Sequence, residues 1–324
     1  MYFRLVCLLL ATLGLAATEL LHFNEHKVSE SEIKIYFYCK EIENPTLVDI
    51  SDPKDLAKTY FSKHKGTYFY FHGFQEDPRL PGSTAQKIEG YILNNFDVNF
   101  FLVDWSLIAK VPSQIHYAAV VNKLEAVGEI LGRRLKSFVT NNGLSFDNIQ
   151  LVGHSLGAHL AGITGRVAGG QCFQVLGLDP AGPAFTPFKT SNRLSTDSGK
   201  YVQAIHTNGG LLGYLPPLAH SDWYPNGGIE QPMCVTHNFS FFKTAIIPEG
   251  SKAVKCAHSM AVEFYLESLC TRNFVAKTCD LYKDYKNGRC WIGKQAWMGG
   301  YFLDTSAHGT YYVDTNVQSP YARG

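Results

Sequence analysis

The chain has 324 residues, a formal net charge of +1 and no run of like charges. This balance argues against nucleic acid as the main partner, because phosphate binding usually leaves a basic stripe. Hydrophobic residues make up 45% of the chain and charged residues 18%, which is typical of a globular protein with a sizeable core.

The first seventeen residues have the features of a secretory signal. Arg4 gives a short positive region, and residues 5–17 are apolar apart from Thr12 and Gly14. We predict a signal peptide over residues 1–17 and one mature domain over residues 18–324, secreted to the extracellular space. The alternative is a membrane anchor, but about 13 apolar residues are too few to span roughly 30 Å of hydrocarbon. We expect no transmembrane segment.

Five apolar, β-branched or aromatic runs predict buried strands, at residues 66–72, 98–105, 148–153, 173–178 and 200–206. Between the second and third, about residues 113–140, an apolar stripe recurs at three- and four-residue spacing and predicts a helix. The stripe consists of Val120, Leu124, Val127, Leu131, Leu135 and Phe138. Asn142-Gly143 is expected to end the helix. Near-continuous apolar strands alternating with helices indicate an α/β fold, with a mostly parallel sheet covered on both faces.

The third predicted strand runs into GHSLG, residues 153–157, a match to the motif G-x-S-x-G. Ser155 stands between this strand and the helical sequence LGAHLAGITGRV, which is the context that the motif requires. The glycines permit a sharp turn whose neighbouring backbone segments come too close for side chains. Ser155 is therefore the candidate nucleophile.

A serine hydroxyl needs a base to take its proton and an acid to orient that base. In α/β-hydrolases the chain order is Ser, then Asp or Glu, then His. Asp179 ends the next predicted strand and is the preferred acid. Asp197 and Asp222 are rivals, but they lie in more irregular sequence, and we expect them on the solvated surface. The histidines downstream of Asp179 are His206, His220, His237, His258 and His308.

His258 is the first choice of base, because it follows Cys256 by two residues and opens an apparent helix, HSMAVEFYLESL. His206 ends a predicted strand and is compatible with a core histidine, so the residues alone leave the base among five. Two backbone donors to an oxyanion are expected. One is the N–H of Leu156, directly after the nucleophile, and the other is the N–H of Phe74 in FHGF, residues 71–74.

The chain resembles the pancreatic-type neutral lipases, and within them the insect-type lipases and the phospholipase A1 branch. The matching blocks follow the family's order over about residues 35–320: YFHGF (70–74), LVDWS (102–106), LVGHSLGAHLAG (151–162), GLDPAGPAF (177–185), AIHTNGG (204–210), YPNGG (224–228) and CAHS (256–259). The resemblance implies a single-domain α/β-hydrolase fold. It also implies Ser155, Asp179 and His258 as the triad, with Phe74 and Leu156 at the oxyanion hole.

The resemblance further implies hydrolysis of a lipid ester at an interface through an acyl-serine intermediate, and we expect no cofactor. The long segment 234–256 favours triacylglycerol as substrate, whereas the short 206–224 loop favours a phospholipase A1. Non-catalytic yolk proteins share the fold but have lost the nucleophile. Because all three triad residues are present, an enzyme is favoured over a lipid-binding storage protein.

Two departures from the family pattern lead to expected absences. We expect no C-terminal β-sandwich domain like that of the pancreatic enzymes, and therefore no colipase. The family's calcium-binding stretch corresponds to RLSTDSGKY, residues 193–201, where Ser195 and Ser198 stand at the two side-chain ligand positions and Asp197 is out of register. Neutral hydroxyls are poor substitutes for carboxylates around a hard cation, so we expect no metal.

The resemblance implies two disulfides, Cys234–Cys256 and Cys279–Cys290, and leaves Cys39, Cys172 and Cys270 without an assigned partner. The first bridge would close a lid over the Ser155 cleft. On a helical wheel Phe239, Phe241, Phe242 and Ile246 share one side, which would face lipid when the lid opens. Asn238 begins a glycosylation sequon, Asn-Phe-Ser, and is a candidate site for a glycan.

Overall fold

A computed structural model describes residues 27–111, 113–234, 252–301 and 303–324. The predicted signal peptide, residues 1–17, lies outside these ranges. So do the predicted lid residues and the sequon, Asn238, Phe239, Phe241, Phe242 and Ile246.

One mixed sheet of eleven strands runs through the described residues, in the order β10-β9-β11-β8-β7-β6-β5-β3-β4-β1-β2. Neighbouring strands from β4 to β11 pair in parallel, while β1, β2, β9 and β10 pair antiparallel at the two ends. The strands are β1 (Lys34–Tyr38), β2 (Thr46–Leu47), β3 (Thr67–Phe71), β4 (Asn99–Asp104), β5 (Ile149–His154), β6 (Gln174–Leu178), β7 (Tyr201–Ile205), β8 (Ser221–Pro225), β9 (Val275–Thr278), β10 (Gln295–Trp297) and β11 (Gly309–Val313).

The α-helices lie in the connections between strands. They are α1 (Pro53–Leu56), α2 (Thr84–Asn95), α3 (Ser106–Ala109), α4 (Tyr117–Asn142), α5 (Leu156–Val167), α6 (Lys252–Ser268) and α7 (Tyr282–Lys286). Single 3₁₀ turns occur at Glu30–Glu32, Gln114–His116, Phe146–Asn148, Thr196–Ser198 and Pro232–Cys234. Among the described residues, no helix combines the length and the apolar character needed to cross a membrane.

Alternate side chains of the central strands enter two separate cores. On one face, Phe69 and Phe101 pack with apolar residues of α4 and α5. On the other face, Tyr68 and Phe100 pack with α2 and α6. Because both faces are covered, the strands β3 and β4 are buried at every position. This explains why they read as continuous apolar runs. The prediction of a mostly parallel α/β sheet is confirmed.

The local sequence of helix α4 specifies both its buried face and the residue at which it ends. All six residues of the predicted stripe are buried. The helix begins at Tyr117, after the 3₁₀ turn Gln114–His116, and ends where Gly143 takes a left-handed conformation with φ 63°. Glycine adopts this conformation at little cost, which makes it a common residue after a helix.

Candidate active site

Ser155 lies on a sharp turn between β5 and α5, with φ 58° and ψ −124°. The two motif glycines are needed because backbone packs directly against them. A Cβ on Gly153 would lie 2.1 Å from the carbonyl oxygen of Gly157, and a Cβ on Gly157 would lie 2.1 Å from that of Phe71. Any side chain at either position would force the turn apart. The turn holds Ser155 half-buried at the carboxyl edge of the sheet, as its motif predicts.

Asp179 directly follows β6 and is fully buried. Its Oδ2 lies 2.5 Å from Nδ1 of His258. Its Oδ1 accepts hydrogen bonds from the backbone N–H groups of Thr207, at 2.8 Å, and Asn208, at 3.0 Å. Since a carboxylate can only accept, His258 donates through Nδ1–H, and its Nε2 is left to accept a proton. This is the tautomer that a general base requires.

His258 lies within α6 and is only 9% exposed. The sequence reading placed it at the start of a helix, but α6 already includes Lys252. The described helix therefore begins at least six positions earlier, and Cys256 belongs to it as well. Alanine and lysine in KAVKCA are good helix formers, so the helical sequence continues upstream of the histidine.

His154, the residue before the nucleophile, connects the turn to α6. Its Nε2–H donates to the carbonyl oxygen of His258 at 3.1 Å, and the two rings are 4.7 Å apart. Burial, reinforced by the neighbouring His258, lowers the pKa of His154 to about 3, so it stays neutral under ordinary conditions. The turn that carries Ser155 and the helix that carries His258 are thus joined through a hydrogen bond that the motif does not predict.

The segment after β3 comes close to the nucleophile. A Cβ on Gly73 would lie 3.2 Å from the Cβ of Ser155. Within the described residues, neither the Phe74 N–H nor the Leu156 N–H donates to a protein acceptor. Both donors therefore remain available to a ligand atom near Ser155, as expected for an oxyanion hole.

Glu76 and His72 hold this segment in place. The carboxylate of Glu76 accepts the N–H of Gly73 at 3.2 Å and that of Ala85 at 3.0 Å. His72 is fully buried, accepts the N–H of Trp105 through Nε2 and donates through Nδ1 to the Gly73 carbonyl. Sequence reading missed both roles. The only signals were a histidine within FHGF and a glutamate two residues after it.

The rival acids occupy different environments. Asp197 is on the surface, with its side chain 59% exposed and paired to Arg166 at 2.9 Å. Asp222, however, is fully buried in β8, so the expectation of a solvated residue was wrong. Its carboxylate accepts hydrogen bonds from His206 and from the backbone N–H groups of Leu218 and Ala219. These four groups converge only after folding, so the burial of Asp222 could not be predicted from the sequence.

Of the remaining candidate histidines, the three that the structure describes form no hydrogen bond or ion pair with Asp179. His206 is fully buried at the end of β7, which agrees with its reading as a core histidine. His220 and His308 pack against each other and against Tyr201, at the start of β7. His237 lies outside the described residues.

The structure contains both disulfides, Cys234–Cys256 and Cys279–Cys290, each with Cα atoms 5.6 Å apart. The first joins Cys234, the last described residue before 235–251, to Cys256 in α6. Among the described cysteines, three are free: Cys39 and Cys172 are buried and Cys270 is exposed.

The segment aligned with the family's calcium stretch is held by an arginine. The guanidinium of Arg166 donates to Ser195 Oγ and to the Arg193 carbonyl, both at 2.7 Å, and pairs with Asp197. In the part of the chain that the structure describes, no group of three or more His, Cys, Asp or Glu side chains is arranged to hold a metal ion.

A strand–turn–helix serine, a buried Asp–His pair and two free N–H donors, arranged at the carboxyl edge of this sheet, define the α/β-hydrolase class. Comparison with known proteins gives the family. A model of the Lipase family matches residues 12–321, and the chain belongs to this family.

Similar proteins include Lipase member H of Oryctolagus cuniculus, which is 32% identical over 284 residues, covering 85% of this chain and 59% of the relative. Lipase member H of Mus musculus is 36% identical over 227 residues, covering 70% and 47%. Phospholipase A1 member A of Homo sapiens is 32% identical over 267 residues, covering 80% and 54%. The chain thus spans about half the length of the curated relatives it matches.

Proposed function

We propose that the protein hydrolyses carboxylic esters of lipids through an acyl-serine intermediate. The observation that carries the proposal is the 2.5 Å contact between Asp179 Oδ2 and His258 Nδ1. It presents His258 Nε2 as a base, in a fold that holds Ser155 at the same edge of the sheet. The remaining roles follow from this arrangement.

In the first half-reaction, Ser155 Oγ attacks the ester carbonyl while His258 Nε2 takes the hydroxyl proton. The N–H groups of Phe74 and Leu156 stabilise the resulting oxyanion. When the ester C–O bond breaks, His258 returns the proton to the leaving alcohol. In the second half-reaction, water attacks the acyl-serine with His258 as base, and the fatty acid is released. Asp179 stabilises the imidazolium in both halves.

Replacing Ser155 by Ala tests this proposal. Removal of the nucleophile of such a triad lowers kcat by about 10⁶-fold. Native protein should also be labelled by a fluorophosphonate, and Ser155→Ala should not. Release of fatty acid by Ser155→Ala at the parent rate would refute the mechanism. A native protein that resists labelling would instead support a non-catalytic lipid-binding protein on the same fold.

The substrate class is a triacylglycerol, a phospholipid or both. The second candidate activity is that of a phospholipase A1 restricted to phospholipids, and the similarity to a relative of that name favours it. Parallel assays of the purified protein on triacylglycerol and on phosphatidylcholine in matched mixed micelles separate the two activities. Turnover of phospholipid alone would select the narrower one.

Exposed apolar side chains around the site suit contact with a lipid surface. They lie in connections that leave the carboxyl ends of parallel strands, the edge that carries Ser155, and they are Leu80, Leu107, Ile115, Phe188, Leu215 and Ile229. Phe188 is 97% exposed. Burial of one such side chain stabilises by about 1.5–3 kcal/mol.

Phe188→Ser should therefore weaken binding to phosphatidylcholine vesicles by roughly tenfold or more, without affecting hydrolysis of a short soluble ester. Tyr60, which is 62% exposed in the segment leading into β3, lies towards the opposite edge, and Tyr60→Ser serves as the control. Equal effects of the two changes on vesicle binding would refute the assignment.

We also propose that residues 1–17 are removed as a signal peptide, that residues 18–324 form the lipase domain and that the protein is secreted. The two disulfides support this, because such bonds persist mainly in oxidising compartments. N-terminal sequencing of protein collected from the medium of expressing cells tests both points. Retention of the protein inside the cells with an intact Met1 would contradict them.

A further inference from the structure

A second histidine–aspartate pair lies beside the candidate active site. His206 directly follows the interior strand β7 and is fully buried, and Asp222 lies on the neighbouring strand β8. His206 Nε2 is 2.9 Å from Asp222 Oδ1, and His206 Nδ1 is 2.7 Å from the carbonyl oxygen of Tyr214. Neither His206 nor Asp222 has a role in the proposed reaction.

Counting protons assigns a charge to this pair. A carbonyl oxygen can only accept, so Nδ1 carries a hydrogen and donates to Tyr214. Asp222 already accepts the N–H groups of Leu218, at 3.0 Å, and Ala219, at 3.1 Å, and such bonds favour the ionised carboxylate. The hydrogen between Nε2 and Oδ1 therefore belongs to the ring. We infer from this hydrogen-bond count that His206 is an imidazolium paired with the Asp222 carboxylate.

The groups facing the ring agree with this charge. Two titratable side chains of β8, Asp222 and Tyr224, contact the ring. The Tyr224 ring stacks on the imidazole at 4.4 Å with an interplanar angle of 6°. Burial, followed by the Asp222 carboxylate, raises the pKa of Tyr224 well above its usual range. Tyr224 therefore stays neutral and offers its π face to a cation.

The pair closes the loop that surrounds Asp179. Thr207 and Asn208, directly after His206, donate both backbone N–H bonds to Asp179 Oδ1. Further along the loop, a Cβ on Gly213 would lie 2.5 Å from the same Oδ1. The next N–H, that of Tyr214, donates to the Pro180 carbonyl at 2.7 Å. The imidazolium ties the start of this loop to Tyr214 and, through Asp222, to its far end at residues 218–219.

We propose that His206 is a positioning residue for the reaction, held as an imidazolium by Asp222, and that the pair fixes the loop which aims Asp179 at His258. This proposal rests on the hydrolytic function proposed above. A displaced Asp179 would leave the substrate-binding surface intact but misorient the base. Loss of the pair is therefore expected to lower kcat rather than raise KM.

The charge is tested on the unaltered protein by nitrogen-15 NMR of labelled histidine at pH 8.5, where exposed imidazoles are neutral. We expect one histidine with hydrogen on both ring nitrogens, and its signals should be absent from the spectrum of His206→Gln. If every histidine has one unprotonated ring nitrogen at this pH, the proposal fails. Because this measurement needs no variant to establish the charge, it decides the question even where the variants do not fold.

Positioning is tested with Asp222→Asn, which preserves size but removes the carboxylate. For a soluble p-nitrophenyl ester, we expect kcat to fall by roughly 10²-fold, the cost of a misplacement of about 1 Å, with KM unchanged. Fluorophosphonate labelling should slow in parallel. The control is His220→Gln, since His220 is half-buried and accepts a backbone N–H, that of Val202, but lies near the start of β7.

These outcomes distinguish a failure of the positioning role from a failure of the proposed hydrolytic function. If Asp222→Asn and His220→Gln lose thermal stability but retain the parent kcat and labelling rate, the pair is purely structural and the positioning role is wrong. If the unaltered protein itself neither turns over ester nor reacts with fluorophosphonate, the proposed function is what fails.

Discussion

At Asp179 the two carboxylate oxygens have separate tasks. Oδ2 faces the Nδ1 of His258, and Oδ1 faces two backbone N–H groups of the loop after β7. An amide in the same place cannot serve both sides, because its NH₂ group would face a donor on one side or the other. The proposed role of Asp179 therefore requires a carboxylate, and an amide of the same shape is not sufficient.

Asp179→Asn is accordingly expected to lower kcat by about 10⁴-fold, the loss seen when the acid of such a triad becomes an amide and the base adopts the wrong tautomer. Steady-state kinetics on a soluble ester, with circular dichroism to verify the fold, measures this. Asp197→Asn is the matched control, since Asp197 is an exposed carboxylate that was a rival candidate. A comparable loss in the control would show that the assay responds to folding rather than to the acid.

Residues with local signatures could be predicted from the sequence, and those defined by convergence could not. Ser155 is identified by a motif of five consecutive residues, whose two glycines allow the backbone to pack closely around the turn. The residues alone leave five histidines as candidates for the base, and the resemblance to the family selects His258. Asp222 was misjudged because the N–H groups of Leu218 and Ala219 meet its carboxylate only in three dimensions. Burial of a charge depends on such partners.

Among the elements, α4 makes a testable contribution to the core. Its Phe138 ring contacts Phe61, Phe69 and Phe101, with ring centroids 5.5 to 5.7 Å apart. Removing a fully buried aromatic ring leaves a cavity and typically costs about 3–5 kcal/mol. Phe138→Ala should reduce the free energy of unfolding by this amount in urea titrations.

Lys136→Ala, on the exposed face of the same helix, provides the comparison for Phe138→Ala. It is expected to leave the urea midpoint nearly unchanged, because surface substitutions are usually within about 0.5 kcal/mol. If both variants unfolded at the same urea concentration, the aromatic cluster would not be a main source of stability.

The strands β3 to β7 were predictable because burial on both faces makes them mostly apolar. β3, β4, β6 and β7 lie within their predicted runs, and β5 ends one residue beyond its run, at His154. The outer strands were not. β10 has exposed Gln295 and Trp297 around a buried Ala296, and β11 joins the sheet between β8 and β9 rather than beside β10, the strand that precedes it in the chain. Such pairing depends on long-range contacts that no local pattern reports.

For the molecule as a whole, buried neutral histidines make stability depend on pH. Burial lowers the pKa of both His154 and His159 to about 3. His159 donates through Nε2 to the Ala181 carbonyl and accepts the Leu194 N–H through Nδ1, so only its neutral form fits. In the unfolded chain, histidine takes up a proton near pH 6.5. The unfolded state therefore binds more protons between about pH 6.5 and 3, and stability falls as the pH is lowered through this range.

Thermal unfolding measured from pH 7.5 to pH 4.5 should show this loss. Gln can reproduce one donor and one acceptor without binding a proton, so His159→Gln should flatten the dependence on pH. An unchanged slope would mean that other groups, such as the carboxylates, cause the acid sensitivity.

The position of β11 has a consequence for synthesis on the ribosome. The segments that carry Ser155 and Asp179 emerge early, whereas His258 arrives with α6, and β9 can reach the sheet only after Gly309–Val313 has been translated to separate it from β8. A growing chain thus contains the nucleophile long before it contains a base held in a completed sheet. If the proposed function and the proposed secretion are both correct, the nascent protein cannot attack the lipids of the membrane that it crosses, and hydrolysis begins only when the sheet is complete.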